Sequence, residues 1–476
     1  MTPSFAARLS RARAAAGPSA IYFSTIFAAQ LSSLLLLPIL TRYLGPEAFG
    51  EYSLVLAVTG LLGTIGSVWV RNVGMRLYFD HVADARTRTF FWTAAALQTA
   101  CMSAVLVVAY PIVRLAGNAI EPGLYAWAGA SVIVTDFYSL ALNTLRAGHR
   151  PASFGMAEWS SSIGRLGITW VGLAAGYRTA TMLFVCVTVS MLLASIVAAR
   201  GLRYVLTGRV GLDRSMAREL VSLGMPSLPG SFGGWLISLS DRLLLAYFLD
   251  VRAVGIYSAA YGVADRAVSG LASGLYMSAG PAILRHWADE GAAAADTITR
   301  YIAIYVSITI GPCVLLALQR DFVLGLLTGE AFRSAASVMP WVVAGTWLGG
   351  LTIYVSRPFE LTKRFGTYSV LVAAAAVLNV GLNIVFIPRL GVLGAAVGTF
   401  GAFVGQTLLS RRLANQALAV AIPWRSVGAS SMAATAAAVV SSVVQSPWVS
   451  IPVFVLVYFG LVAGYWFREP ARTAPV

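Results

Sequence analysis

The chain alternates long apolar runs with short polar stretches. The first run covers about residues 18–40, and five more lie at about 48–70, 90–113, 123–145, 152–176 and 179–199. Each is close to the roughly 20 apolar residues that a helix needs to cross a bilayer. The pattern therefore predicts about six membrane-spanning helices before the first sizeable polar stretch, residues 200–222.

After that stretch the same pattern returns. Six runs lie at about 223–249, 253–280, 297–318, 335–356, 366–388 and 392–410, and two more at about 427–445 and 449–467. We therefore predict an all-α integral membrane protein with about 14 transmembrane helices, arranged as two six-helix lobes plus a C-terminal helix pair. The predicted parts are a basic cytoplasmic N-terminus (1–17), a first lobe (18–199), a basic cytoplasmic linker (200–222), a second lobe (223–415), and two extra helices with a cytoplasmic tail (416–476).

The composition excludes a soluble globular protein. Hydrophobic residues make up 58% of the 476 residues, charged residues only 11%, and the mean hydropathy is +0.77. Soluble proteins carry about 25% charged residues. The only lysine, Lys363, follows Leu361-Thr362, so the chain lacks the Gly-Lys-Ser/Thr of a phosphate-binding loop. The three cysteines, at positions 101, 186 and 313, lie in apolar runs without the spacing of a metal site or a disulfide framework.

The net charge of +15 predicts a membrane topology rather than a nucleic-acid partner. If the N-terminus is cytoplasmic, alternate loops place most of the 34 lysine and arginine residues on the cytoplasmic side, as the positive-inside rule requires. The linker is an amphipathic basic segment suited to anionic headgroups, and it contains Arg200, Arg203, Arg209, Arg214 and Arg218. Both termini should therefore be cytoplasmic.

A weak internal repeat supports the two-lobed design. Leu44, Gly50, Tyr52 and Ser53 reappear 205 residues later as Leu249, Gly255, Tyr257 and Ser258. Both sets lie between the first and second predicted spans of a lobe. Two such lobes with a cavity between them are typical of transporters.

Two signatures carry a resemblance to a known family. The first covers Leu37–Pro46 and Phe49–Ser53, and the second runs from Gly224–Pro229 through Ser240-Asp241-Arg242 to Gly255–Ser258. Weaker matches follow at Leu327–Phe332 and Ile387–Ala396. Over about residues 18–415 the chain resembles the polysaccharide-type flippases of the MOP exporter superfamily, the bacterial exporters of lipid-linked O-antigen and exopolysaccharide units.

The resemblance implies a transporter, not an enzyme, that flips polyprenyl-pyrophosphate-linked oligosaccharides across the bacterial cytoplasmic membrane. It implies two lobes that rock about a central cavity while the lipid tail stays in the bilayer. It implies the lipid-linked glycan and the bilayer as partners, with polysaccharide polymerase and chain-length proteins as further candidates. We expect no cofactor, with transport coupled to an H⁺ or Na⁺ gradient or to the membrane potential.

Two alternatives stay open. A cation-coupled multidrug exporter of the same superfamily needs cavity acids, which Asp241 and Asp265 supply, but no buried arginine. A membrane-embedded polysaccharide polymerase or ligase needs placed carboxylates on a water-exposed surface, and the longest polar stretches contain no Asp-x-Asp. Lipid II flippases keep charged residues in the first helix, whereas residues 21–40 contain none.

Charged residues inside the predicted spans are the candidate site. An ionised side chain at this depth costs about 2.5 to 3.5 kcal/mol, so it needs a partner, a wet cavity or a task. The candidates are Asp136, Glu158, Arg165, Asp241, Arg242, Asp265 and Arg266. Helical spacing places several of them in polar stripes, namely Asp136-Ser139-Asn143, then Glu158, Ser161, Ser162, Arg165 and Thr169, and then Ser258, Tyr261, Asp265, Ser269, Ser273 and Tyr276. Such stripes should line a substrate cavity or hold helices together.

Arg165 is the strongest candidate for binding the substrate. Its nearest acid in sequence, Glu158, is two turns away, about 10 Å along the helix axis. A guanidinium stays protonated and holds phosphate oxygens through paired charge-assisted hydrogen bonds. We therefore expect Arg165 to bind the pyrophosphate head, with Arg242 and Arg266 as further candidates.

The adjacent pairs Asp241-Arg242 and Asp265-Arg266 leave two interpretations open. Neighbouring side chains diverge by about 100° on a helix. This geometry favours a structural cross-pair, Asp241 with Arg266 or Asp265 with Arg242, over a substrate contact. The four acids, Asp136, Glu158, Asp241 and Asp265, are also candidates for binding a counter-cation or for releasing the head on protonation.

Proline and glycine crowd the cytoplasmic half of the seventh predicted span. Pro226, Pro229 and Gly230 predict a bend or an unwound turn there. We interpret it as a hinge, with close helix packing as the alternative. The three histidines, at 81, 149 and 286, have no second ligand nearby in sequence, so no metal site is expected.

Overall fold

A computed structural model describes residues 24–25, 28–83, 86–115, 120–208 and 210–468. The predicted basic N-terminus, most of the predicted tail and the linker residue Arg209 lie outside these ranges. Within them the chain is helical and contains no strand. The predicted all-α class is confirmed.

The chain divides into two compact units, Met1–Trp235 and Leu236–Val476, called here the first and the second unit. The helices of the first unit are α1 (28–43), α2 (Pro46–Gly63), α3 (Trp69–Ala83), α4 (Thr87–Leu115), α5 (Pro122–Ala147), α6 (Pro151–Ala174), α7 (Ala180–Gly201), α8 (Arg203–Leu206) and α9 (Arg214–Gly224). A π-helical segment, Thr64–Val68, joins α2 to α3. The boundary between the units falls inside α10 (Leu228–Phe248).

The second unit continues with long helices. They are α11 (Val251–Glu290), α12 (Ala294–Leu318), α13 (Arg320–Leu327), α14 (Met339–Val355), α15 (Arg357–Leu361), α16 (Phe365–Leu390), α17 (Val392–Ala414), α18 (Trp424–Ser442) and α19 (Pro447–Arg468). Asp250 caps α11 by accepting a hydrogen bond from the Ala253 amide at 2.7 Å. Gly291 and Gly391, at φ 58° and 60°, end α11 and α16 because a left-handed backbone suits glycine.

Several helices are long and apolar enough to cross a membrane. Seven segments among the described residues meet this requirement, or eight if the pair Glu330–Ser337 and Met339–Leu361, bent by 63°, is one span. The chain is therefore a multi-pass membrane protein. Every predicted span overlaps a helix, but the number 14 and the predicted lobe boundaries stay predictions.

Two stretches predicted as polar loops are largely helical. Residues 71–83 continue the second predicted span as α3, and α11 extends past its predicted end at 280 to Glu290. Residues 71–83 contain no proline that would end the helix, and Pro281, at the start of the second stretch, does not end α11. Prolines inside the long helices, such as Pro281, act at single turns only.

The linker docks on the first unit. Asp213 caps α9 by accepting hydrogen bonds from the amides of Ser215 and Met216, at 2.7 and 3.3 Å, and it pairs with Arg86 beside α4. Met216 and Leu220 of α9 are buried in the aromatic core of this unit. The described part of the linker is therefore packed as an element of the first unit.

The C-terminal helix pair packs on α12 of the second unit. A Cβ atom at Gly311 would lie 2.4 Å from the Tyr458 ring, so only glycine lets α19 approach this closely. The Tyr458 hydroxyl donates to the Ser307 carbonyl at 2.8 Å. Phe454 and Tyr458, which are both buried, form the core of this contact.

Candidate functional site

The polar stripe on α6 faces the interior of the first unit. Ser161, Ser162 and Thr169 are buried, and the Ser32 hydroxyl of α1 donates to the Ser162 carbonyl at 2.9 Å. The opposite side of α6 is exposed and apolar, with Ile163 at 60% exposure. The sequence pattern thus assigned the two faces of α6 correctly.

Arg165 lies on this stripe near the middle of α6. It is about 21 Å from the start of the helix at Pro151, at 1.5 Å per residue. Among the described residues it forms no ion pair, and its half-buried side chain leaves Nε buried without a hydrogen-bond partner. A buried guanidinium nitrogen in this position is costly unless a ligand or water satisfies it.

Arg165 has an acid, Glu158, and a phenol, Tyr138, as neighbours. The charges of Glu158 and Arg165 both interact electrostatically with the Tyr138 hydroxyl of α5. The charge of Arg146 interacts in the same way with the Glu158 carboxylate. The Tyr138 hydroxyl is buried and lies beside the Ser161 side chain of the same stripe. We call Tyr138, Glu158 and Arg165 the α5–α6 cluster. Its groups can donate to an anion through Arg165 and Tyr138 while Glu158 stays available for a cation.

Asp136 has a partner that the sequence analysis missed. Arg71 Nη1 of α3 lies 2.6 Å from Asp136 Oδ1, and Asp136 is buried at 4% exposure. Hydropathy ends the second span at residue 70 and so places Arg71 in a loop. The available signal was that the sequence continues without a helix-breaking residue, and α3 indeed runs on to Ala83. The pair compensates the charge of Asp136 and links α3 to α5.

Asp241 and Arg242 form a self-contained buried pair in the second unit. Arg242 Nη1 donates to Asp241 Oδ1 at 2.7 Å and to the Ser238 carbonyl at 2.6 Å. The Tyr257 hydroxyl donates to Asp241 Oδ2, and the Arg242 guanidinium lies 5.5 and 4.5 Å from the ring centroids of Tyr257 and Tyr261. Asp241 and Arg242 are 0% and 6% exposed.

The predicted cross-pairs between α10 and α11 are therefore wrong. Neither Asp241 with Arg266 nor Asp265 with Arg242 forms an ion pair among the described residues. The divergence of neighbouring Cβ directions did not prevent pairing, because the long arginine side chain folds back along the helix to its own neighbour. Tyr257 then supplies the second partner that Arg266 was expected to supply.

Asp265 and Arg266 are less buried and bind locally on α11. The Ser269 hydroxyl donates to Asp265 Oδ1 at 2.8 Å, and Arg266 Nη1 donates to the Gly262 carbonyl at 2.8 Å. Each partner lies four residues away on the same helix, Ser269 after Asp265 and Gly262 before Arg266. Within the described residues, the Asp265 carboxylate therefore forms no ion pair.

A buried amide network was also missed by the sequence analysis. The Ser240 hydroxyl contacts Asn379 Oδ1 at 3.3 Å, Asn383 Nδ2 donates to the same oxygen at 3.1 Å, and Asn379 Nδ2 donates to Thr399 at 3.3 Å. Asn379 and Asn383 are both 0% exposed. They follow each other at i and i+4 in an apolar run, which was the available signal. The network ties α10 to α16 and α17.

The predicted bend before α10 is present as an interruption of the helix. A 3₁₀ turn, Met225–Ser227, separates α9 from α10 and contains Pro226. Pro229 and Gly230 lie in the first turn of α10, where a missing amide donor costs little. The prolines thus mark a helix start rather than a kink. Gly224 packs against Trp69 so closely that a Cβ atom would lie 2.7 Å from the indole.

Clustered metal ligands are not found in the described ranges. These ranges hold no group of three or more His, Cys, Asp or Glu side chains that could bind a metal ion. The cysteines at 101, 186 and 313 are free.

Comparison with known sequences assigns the family. Residues 18–287, more than half of the chain, match the family described as polysaccharide biosynthesis protein. The chain belongs to this family. The resemblance drawn from the two signatures is confirmed, and both signatures lie within the matched residues.

The chain is similar to other proteins over most of its length. It is 21% identical over 423 residues to the probable low-salt glycan biosynthesis flippase Agl15 of Haloferax volcanii, covering 86% of this chain and 85% of the relative. Its fold is similar to lipid II flippase MurJ in an inward closed conformation, with a TM-score of 0.76 and 12% identity over 95% and 99% of the two chains. It is also similar to an inward-facing multidrug resistance MATE family transporter of the MOP superfamily, with a TM-score of 0.61 and 15% identity over 81% and 95%. These structural likenesses establish the MATE-like fold.

Proposed function

We propose that the protein is a transporter that flips polyprenyl-pyrophosphate-linked oligosaccharide units, precursors of O-antigen, capsule or exopolysaccharide, across a membrane. Its family and the flippase name of its curated relative support this proposal. The single observation that carries it is Arg165, a mid-helix arginine on a protein-facing stripe without an ion pair among the described residues. A carrier of neutral or cationic drugs has no use for such a cation.

The chemistry of the α5–α6 cluster fits an anionic head. Arg165 offers a planar fork of donors that matches two phosphate oxygens at once, and it stays charged at every physiological pH. The Tyr138 hydroxyl is one further donor. As the pyrophosphate leaves the headgroup region, these groups replace part of the hydration that it loses.

The remaining charges have different tasks in this proposal. Asp136 and the Asp241-Arg242 pair hold helices together, because each is neutralised by a named partner. Glu158 and Asp265 are the acids that remain for H⁺ or Na⁺ coupling, and Arg266 is the further candidate contact for the head. The interrupted helix at Pro226, Pro229 and Gly230 is the proposed hinge for alternating access by the two lobes.

The proposal includes a cellular setting. The protein acts in the bacterial cytoplasmic membrane with both termini in the cytoplasm, as the charge distribution predicts. It works without a cofactor and without catalysing a chemical step. Polysaccharide polymerase and chain-length proteins are its proposed partners, since they use the glycan that it delivers.

Genetic complementation tests the function. The full chain, expressed in a strain that lacks its polysaccharide flippase, is expected to restore surface polysaccharide, and the Arg165→Ala variant is expected to fail at equal membrane abundance. The matched control is Ile163→Ala on the exposed side of the same helix, which should complement normally. Drug resistance on expression without restored polysaccharide would instead identify a multidrug exporter. Sugar transfer by the purified protein would identify an enzyme.

A further inference from the structure

Three polar residues where α14 passes into α15 carry buried groups without partners. Tyr354 lies in the last turn of α14, Ser356 lies between the two helices, and Arg357 begins α15. These residues, called here the α14–α15 cluster, are 1%, 8% and 7% exposed. Within the described part of the chain, both hydroxyls and Arg357 Nε are buried and have no hydrogen-bond partner. Buried polar groups of this kind cost free energy unless a ligand or water satisfies them.

The charge of Arg357 is already compensated. Its Nη1 donates to the carboxylate of Glu360, three residues later on the same helix. Over the described ranges, the guanidinium reaches no other acceptor. Arg357 therefore has unused donors but a matched charge, which distinguishes it from Arg165. This combination favours a neutral polar ligand over an anion.

An aromatic ring joins the members of the cluster. The Arg357 guanidinium lies 4.7 Å from the ring centroid of Tyr276 on α11. The rings of Tyr276 and Tyr354 meet edge to face, with centroids 5.9 Å apart. Gly280, one turn after Tyr276, makes room for the guanidinium, since a Cβ atom there would lie 3.1 Å from Nη2. The unused donors of Arg357 and the Tyr354 side chain thus both border Tyr276.

The cluster lies beside an accessible surface of α11. Tyr276 is half-buried, its neighbours Ser273 and Met277 are exposed, and the Glu360 side chain is 45% exposed. Tyr276 is also the last member of the polar stripe that begins at Ser258. Both α11 and α14 approach their predicted cytoplasmic ends here. The polar stripe therefore leads from the first turns of α11 to the cluster.

From this arrangement we infer that the α14–α15 cluster, together with Glu360 and the Tyr276 ring, binds a sugar residue. A sugar hydroxyl both donates and accepts, so neighbouring hydroxyls can accept from Arg357, donate to Glu360 and exchange hydrogen bonds with the two hydroxyls of the cluster. The C–H face of a sugar ring is apolar and packs on an aromatic ring. A phosphate group only accepts, and the Glu360 carboxylate repels it. The inference rests on the proposed function, because it assigns the bound sugar to the lipid-linked glycan.

Glycoside titration of the full purified chain in neutral detergent tests this site. The methyl glycosides of glucose, galactose, mannose and N-acetylglucosamine are titrated separately, and binding is measured by saturation-transfer NMR. Thermal melting is recorded without glycoside. The variants are Tyr354→Phe, Ser356→Ala and Arg357→Gln, and the control is Arg364→Gln, an exposed cation directly before α16.

The expected pattern is specific. At least one glycoside binds equally to wild type and Arg364→Gln, and inorganic pyrophosphate does not displace it. Tyr354→Phe and Ser356→Ala each bind it about fivefold more weakly, because one neutral hydrogen bond is lost. Arg357→Gln binds it at least about tenfold more weakly, because a charged donor is lost. Without glycoside, Tyr354→Phe melts no lower than wild type, since its hydroxyl has no partner to lose.

Several results would overturn the site. They are the absence of any bound glycoside, equal binding by Tyr354→Phe and wild type, and a lower melting temperature of Tyr354→Phe without glycoside. Displacement by inorganic pyrophosphate would identify an anion site instead. Transport of a lipid-linked glycan in proteoliposomes is measured separately. Glycoside binding without transport would support this site and contradict the flippase, whereas transport without glycoside binding would do the reverse.

Discussion

Arg165 and Arg242 each lie on an apolar helix, one in each unit, in different electrostatic settings. Arg242 is buried with Asp241, two tyrosine rings and a carbonyl around it. Arg165 is half-buried, forms no ion pair among the described residues, and has a buried Nε without a partner. A cation whose charge is already matched stabilises the fold, whereas one that is left unmatched is available to a ligand. We therefore propose that binding of the substrate anion is centred on Arg165 in the first unit.

The internal repeat sharpens this comparison. Tyr52 and Tyr257 occupy equivalent positions 205 residues apart. Tyr257 donates to Asp241, whereas the Tyr52 ring packs against Phe184 with centroids 5.2 Å apart. The same offset places Leu36 and Leu37 where the second unit has Asp241 and Arg242. The buried Asp241-Arg242 pair therefore has no charged counterpart at the equivalent positions of the first unit.

The largest expected effect follows substitution of Arg165. Arg165→Ala should lower flipping by about a hundredfold, since two charge-assisted hydrogen bonds to phosphate are each worth about 1.5 kcal/mol or more. Arg165→Lys should retain partial activity because it keeps the charge and loses the planar fork. Transport is measured at matched membrane abundance, with Ile163→Ala as the control. Normal transport by Arg165→Ala would remove the distinction between the two arginines.

Breaking the Asp241-Arg242 pair should lower the free energy of unfolding and should not change which substrate is transported. Asp241→Leu leaves a buried guanidinium without its counter-charge, which costs about 3 to 5 kcal/mol. The double variant Asp241→Leu/Arg242→Leu restores the pattern found at Leu36-Leu37 and should recover most of the loss in thermal unfolding. A double variant less stable than Asp241→Leu would show that Arg242 has a task beyond this pair.

The Arg71–Asp136 pair should give a smaller loss of stability. Asp136→Asn keeps an acceptor for Arg71 but removes the charge, and the Arg71 side chain is 26% exposed, so solvent screens part of the interaction. We expect a destabilisation of about 1 to 2 kcal/mol and unchanged substrate selectivity. Altered selectivity at unchanged stability would make Asp136 part of the substrate site.

The interrupted helix before α10 should show a several-fold effect on transport. Pro229→Ala lengthens the helix at its first turn, so it should slow transport and change the cysteine-accessibility pattern of the second unit while stability stays constant. Pro447→Ala, at the partly buried start of α19, is the matched control. Unchanged transport and labelling in Pro229→Ala would leave close packing as the role of this segment.

The smallest effect concerns the linker and depends on pH. Hydrogen bonds from Ser215, the amide of Met216 and the nearby Arg86 lower the pKa of Asp213 from 3.8 to about 2. The folded-state pKa is depressed, so the cap is fully present above about pH 4 and is lost as the pH falls toward 2. A spin label at the exposed Ser222 of α9 should gain mobility over that range, and Asp213→Ala, which removes the side-chain acceptor, should show the gain at neutral pH. A mobility independent of both would mean that this cap does not fix the linker.

Much of the fold could be predicted because the length of a membrane helix and the polarity of its faces follow directly from the pattern of apolar residues. Every predicted span overlaps a helix, and the α6 stripe identified which side faces protein. The end of α3 was misjudged because hydropathy reports where the apolar residues stop, not where the helix stops. Hydropathy alone therefore places Arg71 outside the second predicted span.

Ion pairing was the part that the sequence could not supply. Whether Asp241 pairs with Arg242 or with Arg266 depends on side-chain rotamers and on the position of Tyr257 across a helix contact, and neither is encoded in helical spacing. The Asn379–Asn383 network was overlooked because uncharged amides do not stand out in an apolar run. By contrast, the rise of a helix alone places Glu158 too far along α6 for an ion pair with Arg165, and the described residues form no such pair.

Transbilayer movement in proteoliposomes tests the central claim most directly. The purified protein is offered two glycolipids with the same glycan and polyprenyl tail, one linked by pyrophosphate and one by an uncharged linkage, and movement between leaflets is followed by loss of accessibility to an external glycan-modifying reagent. We predict rapid movement of the pyrophosphate-linked lipid alone, reduced in Arg165→Ala to the rate of the uncharged one. Equal movement of both lipids, or an Arg165→Ala protein as fast as wild type, would contradict the account.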